Sequence, residues 1–205
     1  MIGVFSYTVI LTYLSLISSS IGIMLCAYGN PTGAIIMLLV SGLCDMFDGK
    51  VARLKKRSDY EKSFGVQIDS LSDLVAFGVL PASIGYAIGL TEYFWCILFT
   101  IYILFALVRL AHFNVITECA TSKNTKLTYF TGLPVTSAAL IFPLLYLFRY
   151  KLGSTFPYFY AGILLIVALL FISKIKVRKP GWKTLIVFLI AGTAIGVIHI
   201  IESLS

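Results

Sequence analysis

The chain has 205 residues, of which 59% are hydrophobic and 12% charged. Soluble domains carry about 25% charged residues, so an ordinary soluble domain is excluded and a polytopic membrane protein is predicted. The formal net charge of +7 does not point to nucleic acid. The basic residues stand in short segments between apolar runs, which is the pattern that sets membrane topology.

A helix needs about 20 apolar residues to cross the hydrocarbon core. On that length, spans are expected at residues 5–27, 32–54, 64–89, 93–116, 130–149, 155–173 and 183–202. The predicted fold is an all-α integral membrane protein. It is a polytopic bundle of about seven helices, with six or eight as the neighbouring counts, in a single domain over 1–205. The N-terminus lacks a basic leader and a cleavage site, so the first span is expected to be retained, not removed as a signal peptide. Tyr28-Gly29-Asn30-Pro31 is a turn cluster, with Pro31 suited to open the second helix. Further breaks fall at 89–92, at Gly153-Ser154 and at Lys179-Pro180-Gly181. Cys26, Cys44, Cys96 and Cys119 form no C-x-x-C pair and read as packing residues. Tyr150, Phe156, Tyr158, Phe159 and Tyr160 read as an interfacial aromatic belt. Gly33 and Gly42 read as helix-packing positions.

Orientation follows from the basic residues. Arg53, Lys55, Lys56, Arg57 and Lys62 lie in one turn, Lys123 and Lys126 in another, and Lys174, Lys176, Arg178, Lys179 and Lys183 in a third. All three turns fall on one side of the predicted bundle. The opposite loops carry Arg149 and Lys151. The biased side is expected to be cytoplasmic, in the cell membrane, with the N-terminus inside.

Asp45, Asp48, Asp69 and Asp73 lie within or at the ends of predicted spans, although the whole chain has only 9 acidic residues. Carboxylates at that depth are expensive and mark functional sites. Residues i and i+3, or i and i+4, share a helix face, so each pair converges. A short turn joins the two spans, which makes them antiparallel neighbours with both pairs at one depth. Converging anions repel one another, and divalent cations remove the repulsion. Oxygen ligands select Mg²⁺, Mn²⁺ or Ca²⁺ over zinc. The plainer alternative pairs the aspartates with Lys50, Arg53 and Arg57 as structural ion pairs. Gly49, Ala52 and Gly65 keep the surroundings small, and Arg53 offers a planar fork for phosphate. Metal, glycine and arginine together suggest a nucleotide diphosphate as ligand.

Asp45-Met-Phe-Asp48-Gly49-Lys-Val-Ala52-Arg53 followed by Gly65-x3-Asp69-x3-Asp73 resembles the signature of the CDP-alcohol phosphotransferases. Every signature position matches, although the spacer over 54–64, which contains Ser58, is longer than usual in that family. The resemblance implies a reaction in which an alcohol attacks the lipid-side phosphorus of a CDP-linked lipid and CMP leaves. It also implies two divalent metal ions held by Asp45, Asp48, Asp69 and Asp73, with Asp73 as general base. Gly49, Ala52, Arg53 and Gly65 would contact the nucleotide, and homodimerisation is expected by analogy.

Asp69-Ser-Leu-Ser-Asp73-Leu-Val-Ala-Phe-Gly-Val-Leu-Pro81, Arg109-Leu-Ala-His-Phe-Asn114 and Thr131-Gly-Leu-Pro134 are similar to the phosphatidylserine synthase branch. Transfer from CDP-diacylglycerol to L-serine at a cytoplasm-facing site is therefore expected. Arg109 is a cation within a span and needs a partner. A substrate carboxylate and a core aspartate are both open. Asn114 is a candidate acceptor contact or a helix cap. His112 reads as an interfacial histidine, and Thr12 and Ser15 as packing or nucleotide-side residues. The rival activities are a sister transferase acting on glycerol 3-phosphate or inositol phosphate, the archaeal-type lipid version of the serine reaction, and divalent-cation transport.

Overall fold

The computed structural model describes residues 9–51, 58–122 and 129–178, with backbone alone considered for 49–51, 120–122, 129–131 and 176–178. Five helices are long and apolar enough to cross a membrane: Ile10–Ala27, Pro31–Asp48, Asp59–Ala87, Trp95–Cys119 and Arg149–Ile172. A shorter apolar helix covers Val135–Tyr146. These match the first six predicted spans. The seventh, 183–202, lies outside the described residues.

Helix α1 is Ile10–Ala27 and α2 is Pro31–Val51. The turn between them works as its residues suggest. Asn30 accepts a hydrogen bond from the Gly33 amide at 2.9 Å, and Pro31 occupies the first helical position, where no amide is needed. Helix α3, Asp59–Asp73, begins a full turn before the predicted residue 64. A capping box is the reason: the Glu61 amide donates to Ser58 Oγ at 3.2 Å and the Ser58 amide donates to Glu61 Oε2 at 2.9 Å. The Ser58 hydroxyl is thus engaged in starting a helix.

After Asp73 the helix widens into a π segment, Leu74–Val79, and continues as α4, Leu80–Ala87. Widened turns of this kind concentrate at functional sites. Pro81 has no amide to give to the turn before it. The carbonyl of Phe77, four residues earlier, instead accepts from the hydroxyl of Tyr102 at 2.9 Å, and the Pro81 carbonyl accepts from Tyr160 at 2.9 Å. Both tyrosines are fully buried. Replacing Tyr102 by Phe removes the donor and leaves a buried carbonyl unpaired, at about 1–3 kcal/mol. A lowered melting temperature in detergent is the expected result, and an unchanged one would show that the carbonyl has another partner.

Helix α5 is Trp95–Ser122. It runs past the predicted end at 116, so Asn114 is not a helix cap. Helix α6, Ala138–Tyr146, follows a single 3-10 turn at Val135–Ser137, and is shorter than the predicted span 130–149. The preceding residues are committed elsewhere. Strand β1, Tyr129–Thr131, pairs antiparallel with β2, Lys176–Arg178. The Gly132 amide donates to Ile175 O at 2.8 Å and the Leu133 amide to Leu170 O at 3.1 Å. Gly132 has φ +79, and a Cβ there would stand 2.6 Å from Phe171 O, so only glycine fits.

Helices α7, Arg149–Leu152, and α8, Phe156–Ile172, complete the described chain. Of the residues read as an aromatic belt, Tyr150, Tyr158 and Phe159 are exposed, whereas Phe156 and Tyr160 are buried and belong to the core. Those two sit one turn apart on the opposite face of α8 and pack on Tyr146 and Phe142. Phe142, Tyr102 and Phe171 extend this aromatic core. Helices α2 and α6 approach closely at Gly42, where an added Cβ would stand 2.4 Å from Ala139 Cβ. Thr32 and Tyr146 share a hydrogen bond of 3.0 Å across the same pair. Gly42 is therefore a packing glycine, as expected.

Candidate active site

Helix α3 presents a different set of polar groups to each of its three neighbours. Asp69 and Asp73, one turn apart, face α2. Ser72 faces α1, and Ser70 faces α5. The spacing of the segment Asp69-Ser-Leu-Ser-Asp73 produces this, because successive residues step about 100° around the helix.

Toward α2, Asp45, Asp48 and Asp69 each offer a carboxylate oxygen, and these oxygens lie within 4.8 Å of one another. The carboxyl of Asp69 lies beside that of Asp48, and the carboxyl of Asp73 beside that of Asp45. Asp73 is buried and stands beside the triad, outside it. All four predicted aspartates are thus brought together. Toward α1, Ser72 Oγ donates to the Thr12 carbonyl at 3.2 Å, and Thr12 Oγ1 donates to Asp48 Oδ2 at 3.2 Å. Ser15 and Ser41 exchange hydroxyl-to-carbonyl bonds at 3.3 and 2.8 Å, which ties α1 to α2 a turn further along. Toward α5, Asn114 Nδ2 donates to Ser70 Oγ at 2.8 Å, and Ser70 Oγ donates to the Val66 carbonyl at 3.1 Å.

The remaining sequence candidates fall as follows. Gly65 lies one turn before Asp69 on α3 and is half-buried. Gly49 is within α2, directly after Asp48. Ala52, Arg53 and Arg57 lie outside the described residues, and of Lys50 only the backbone is described, so the ion-pair alternative falls there too. Arg109 is buried, and its Nε donates to Leu133 O at 3.1 Å while its guanidinium lies 5.5 Å from the centre of the Phe113 ring. Its partners among the described residues are therefore the Leu133 carbonyl and an aromatic face, and of the two alternatives left open the pairing with a core aspartate is not seen among them. His112 is exposed. Ser70 and Ser72 were not singled out from the sequence. Their alternation with the aspartates was the available signal.

The triad suits a hard divalent cation. Asp69 Oδ1 is buried with no hydrogen-bond partner, and an orphaned buried acceptor costs about 1–3 kcal/mol. A cation bound by carboxylate oxygens satisfies it and offsets the repulsion among three anions. Two carboxylates come from α2 and one from α3, so such an ion would also cross-link the two helices.

Fold and site together define a polytopic helical membrane protein with an intramembrane carboxylate cluster of metal-binding chemistry. The family model for CDP-alcohol phosphatidyltransferase matches residues 6–174, and the chain belongs to that family. It is similar to a CDP-diacylglycerol–serine O-phosphatidyltransferase of Saccharomyces cerevisiae, 42% identical over 115 residues, which cover 54% of this chain and 41% of that protein. It is also similar to an archaetidylserine synthase of Methanothermobacter thermautotrophicus, 35% identical over 170 residues, covering 82% of this chain and 67% of the relative. A CDP-diacylglycerol–serine O-phosphatidyltransferase of Helicobacter pylori is 34% identical over 157 residues, covering 72% and 60%. The chain thus spans between 41% and 67% of the length of these relatives.

Proposed function

We propose that this protein transfers the phosphatidyl group of CDP-diacylglycerol to L-serine, giving phosphatidylserine and CMP. The observation that carries the reading is the carboxylate cluster with its orphaned Asp69 oxygen, in a chain of the CDP-alcohol phosphatidyltransferase family. The names of two of the relatives described above supply the serine acceptor.

Asp45, Asp48 and Asp69 would hold the divalent ion, with Asp73 completing the set for a second. A divalent ion held there, Mg²⁺ or Mn²⁺, would supply positive charge to the diphosphate. Asp73 takes the proton of the acceptor hydroxyl, a role its position beside the triad allows. Gly49, Ala52, Arg53 and Gly65 form the nucleotide side. Asn114, bonded to Ser70 next to Asp69, and Arg109, a little over a turn earlier on α5, stand on the acceptor side. The site opens to the cytoplasm, with the N-terminus inside, and the acyl chains stay among membrane lipids. A homodimer is the proposed assembly.

A second reading concerns the lipid, because the archaetidylserine synthase is similar over most of this chain. Purified protein in detergent, given CDP-diacylglycerol or its ether-lipid counterpart with each labelled alcohol, separates the possibilities. CMP release with serine and the diacyl donor is expected, abolished by EDTA and restored by Mn²⁺. Release with glycerol 3-phosphate and none with serine would reject the serine assignment. Turnover of the ether-lipid donor alone would move the substrate to the archaeal class.

A further inference from the structure

Helix α1 contributes no carboxylate, yet its Thr12 reaches the acidic site. Thr12 is buried, and its Oγ1 donates to Asp48 Oδ2 at 3.2 Å. The backbone of the same residue is fixed from the other side, because Ser72 Oγ, between Asp69 and Asp73, donates to the Thr12 carbonyl at 3.2 Å. One residue of α1 therefore bonds Asp48 on α2 and the acidic turn of α3. We infer that Thr12 is a positioning residue that sets the Asp48 carboxylate for divalent-metal binding, an inference that rests on the metal reading above.

The physical argument has two parts. A carboxylate that must bind an ion gains affinity when its plane is fixed beforehand, and a hydroxyl on one oxygen fixes it. Thr12 is itself a firm support. Its side chain is β-branched and stiff about χ1, its carbonyl is held by Ser72, and α1 is tied to α2 by the Ser15–Ser41 exchange. Loss of a supporting partner of a metal ligand costs about 10–100-fold in metal affinity. The Ser15–Ser41 pair joins the same two helices through bonds that use no aspartate side chain, so it separates ligand positioning from helix packing.

The test is direct Mn²⁺ binding to the purified full chain, read by calorimetry or by the electron paramagnetic resonance of free Mn²⁺, without substrate. Thr12→Val keeps the shape and removes the hydroxyl. Its Mn²⁺ dissociation constant is expected to rise about 10-fold, with Thr12→Ser close to the unaltered protein. Thr12→Ala also lacks the hydroxyl and reports the same effect if the valine variant fails to fold. Ser15→Ala is expected to lower the melting temperature and leave Mn²⁺ affinity unchanged. Native affinity in a folded Thr12→Val or Thr12→Ala protein would overturn the inference, as would a loss in Ser15→Ala equal to theirs. If the unaltered chain binds no Mn²⁺, the metal reading itself falls and the inference with it.

Discussion

Replacing Asp73 by Asn is expected to lower CMP release by about 10²–10⁴-fold, the usual contribution of a positioned general base. The change keeps the size and planarity of the side chain and removes its ability to take a proton. Asp73 is buried beside Asp45, but it stands outside the triad formed by Asp45, Asp48 and Asp69. Two measurements on the same protein therefore distinguish its role. Turnover at saturating Mn²⁺ should be nearly lost, whereas Mn²⁺ affinity should fall less than in Asp48→Asn, which removes a triad member. A variant that still releases CMP at near-normal rate would exclude Asp73 as the base. One that loses metal as completely as Asp48→Asn would make it chiefly a ligand.

A second large effect is expected at Gly42. Its hydrogen faces Ala139 on α6, and a methyl group there would lie 2.4 Å from the Ala139 Cβ. Neither atom can turn away, because each is fixed by its helix backbone, so Gly42→Ala must push α2 and α6 apart. Overpacking of this kind costs about 1–3 kcal/mol. Gly42 lies one turn before Asp45, so displacement of α2 also misplaces the carboxylates. The melting temperature and turnover should fall together. Adding Ala139→Gly to the same chain moves the methyl from one helix to the other and should restore much of both. If the double variant is no better than Gly42→Ala, the contact between these helices is not what limits stability.

The spans that could be read from sequence are those where apolar length and punctuation agree, such as the join at Asn30-Pro31. The early start of α3 was also written in the chain, as Ser58 with Glu61 three residues on, but the basic run before it reads as loop. The short α6 could not be foreseen by length alone. Residues 129–134 are apolar enough to extend it, yet their backbone pairs with the segment after α8, a contact between distant parts of the chain. The aspartates were legible because i, i+3 and i+4 spacing fixes a face within each helix, and a short turn fixes which helices meet. Arg109 was not, because its partner is a backbone carbonyl, which leaves no mark in residue type. Phe156 and Tyr160 are told apart from Tyr158 and Phe159 only by helical phase. A midplane transport site would favour broken helices, whereas Asp59–Ala87 runs on through its widened turn as one span.

The three-sided bonding of α3 restricts how the protein can move. A step of one residue is about 100° of rotation. It would strip Ser70 from Asn114, Ser72 from Thr12, and both aspartates from α2 in a single motion. Rolling of α3 about its axis is thereby locked at several points around its circumference. In the proposed reaction, admission of a lipid or release of CMP that leaves these bonds intact keeps α1, α2, α3 and α5 in place around the Asp69–Asp73 turn. Crosslinks from α3 to α1, α2 or α5 beside those bonds should then be silent in turnover.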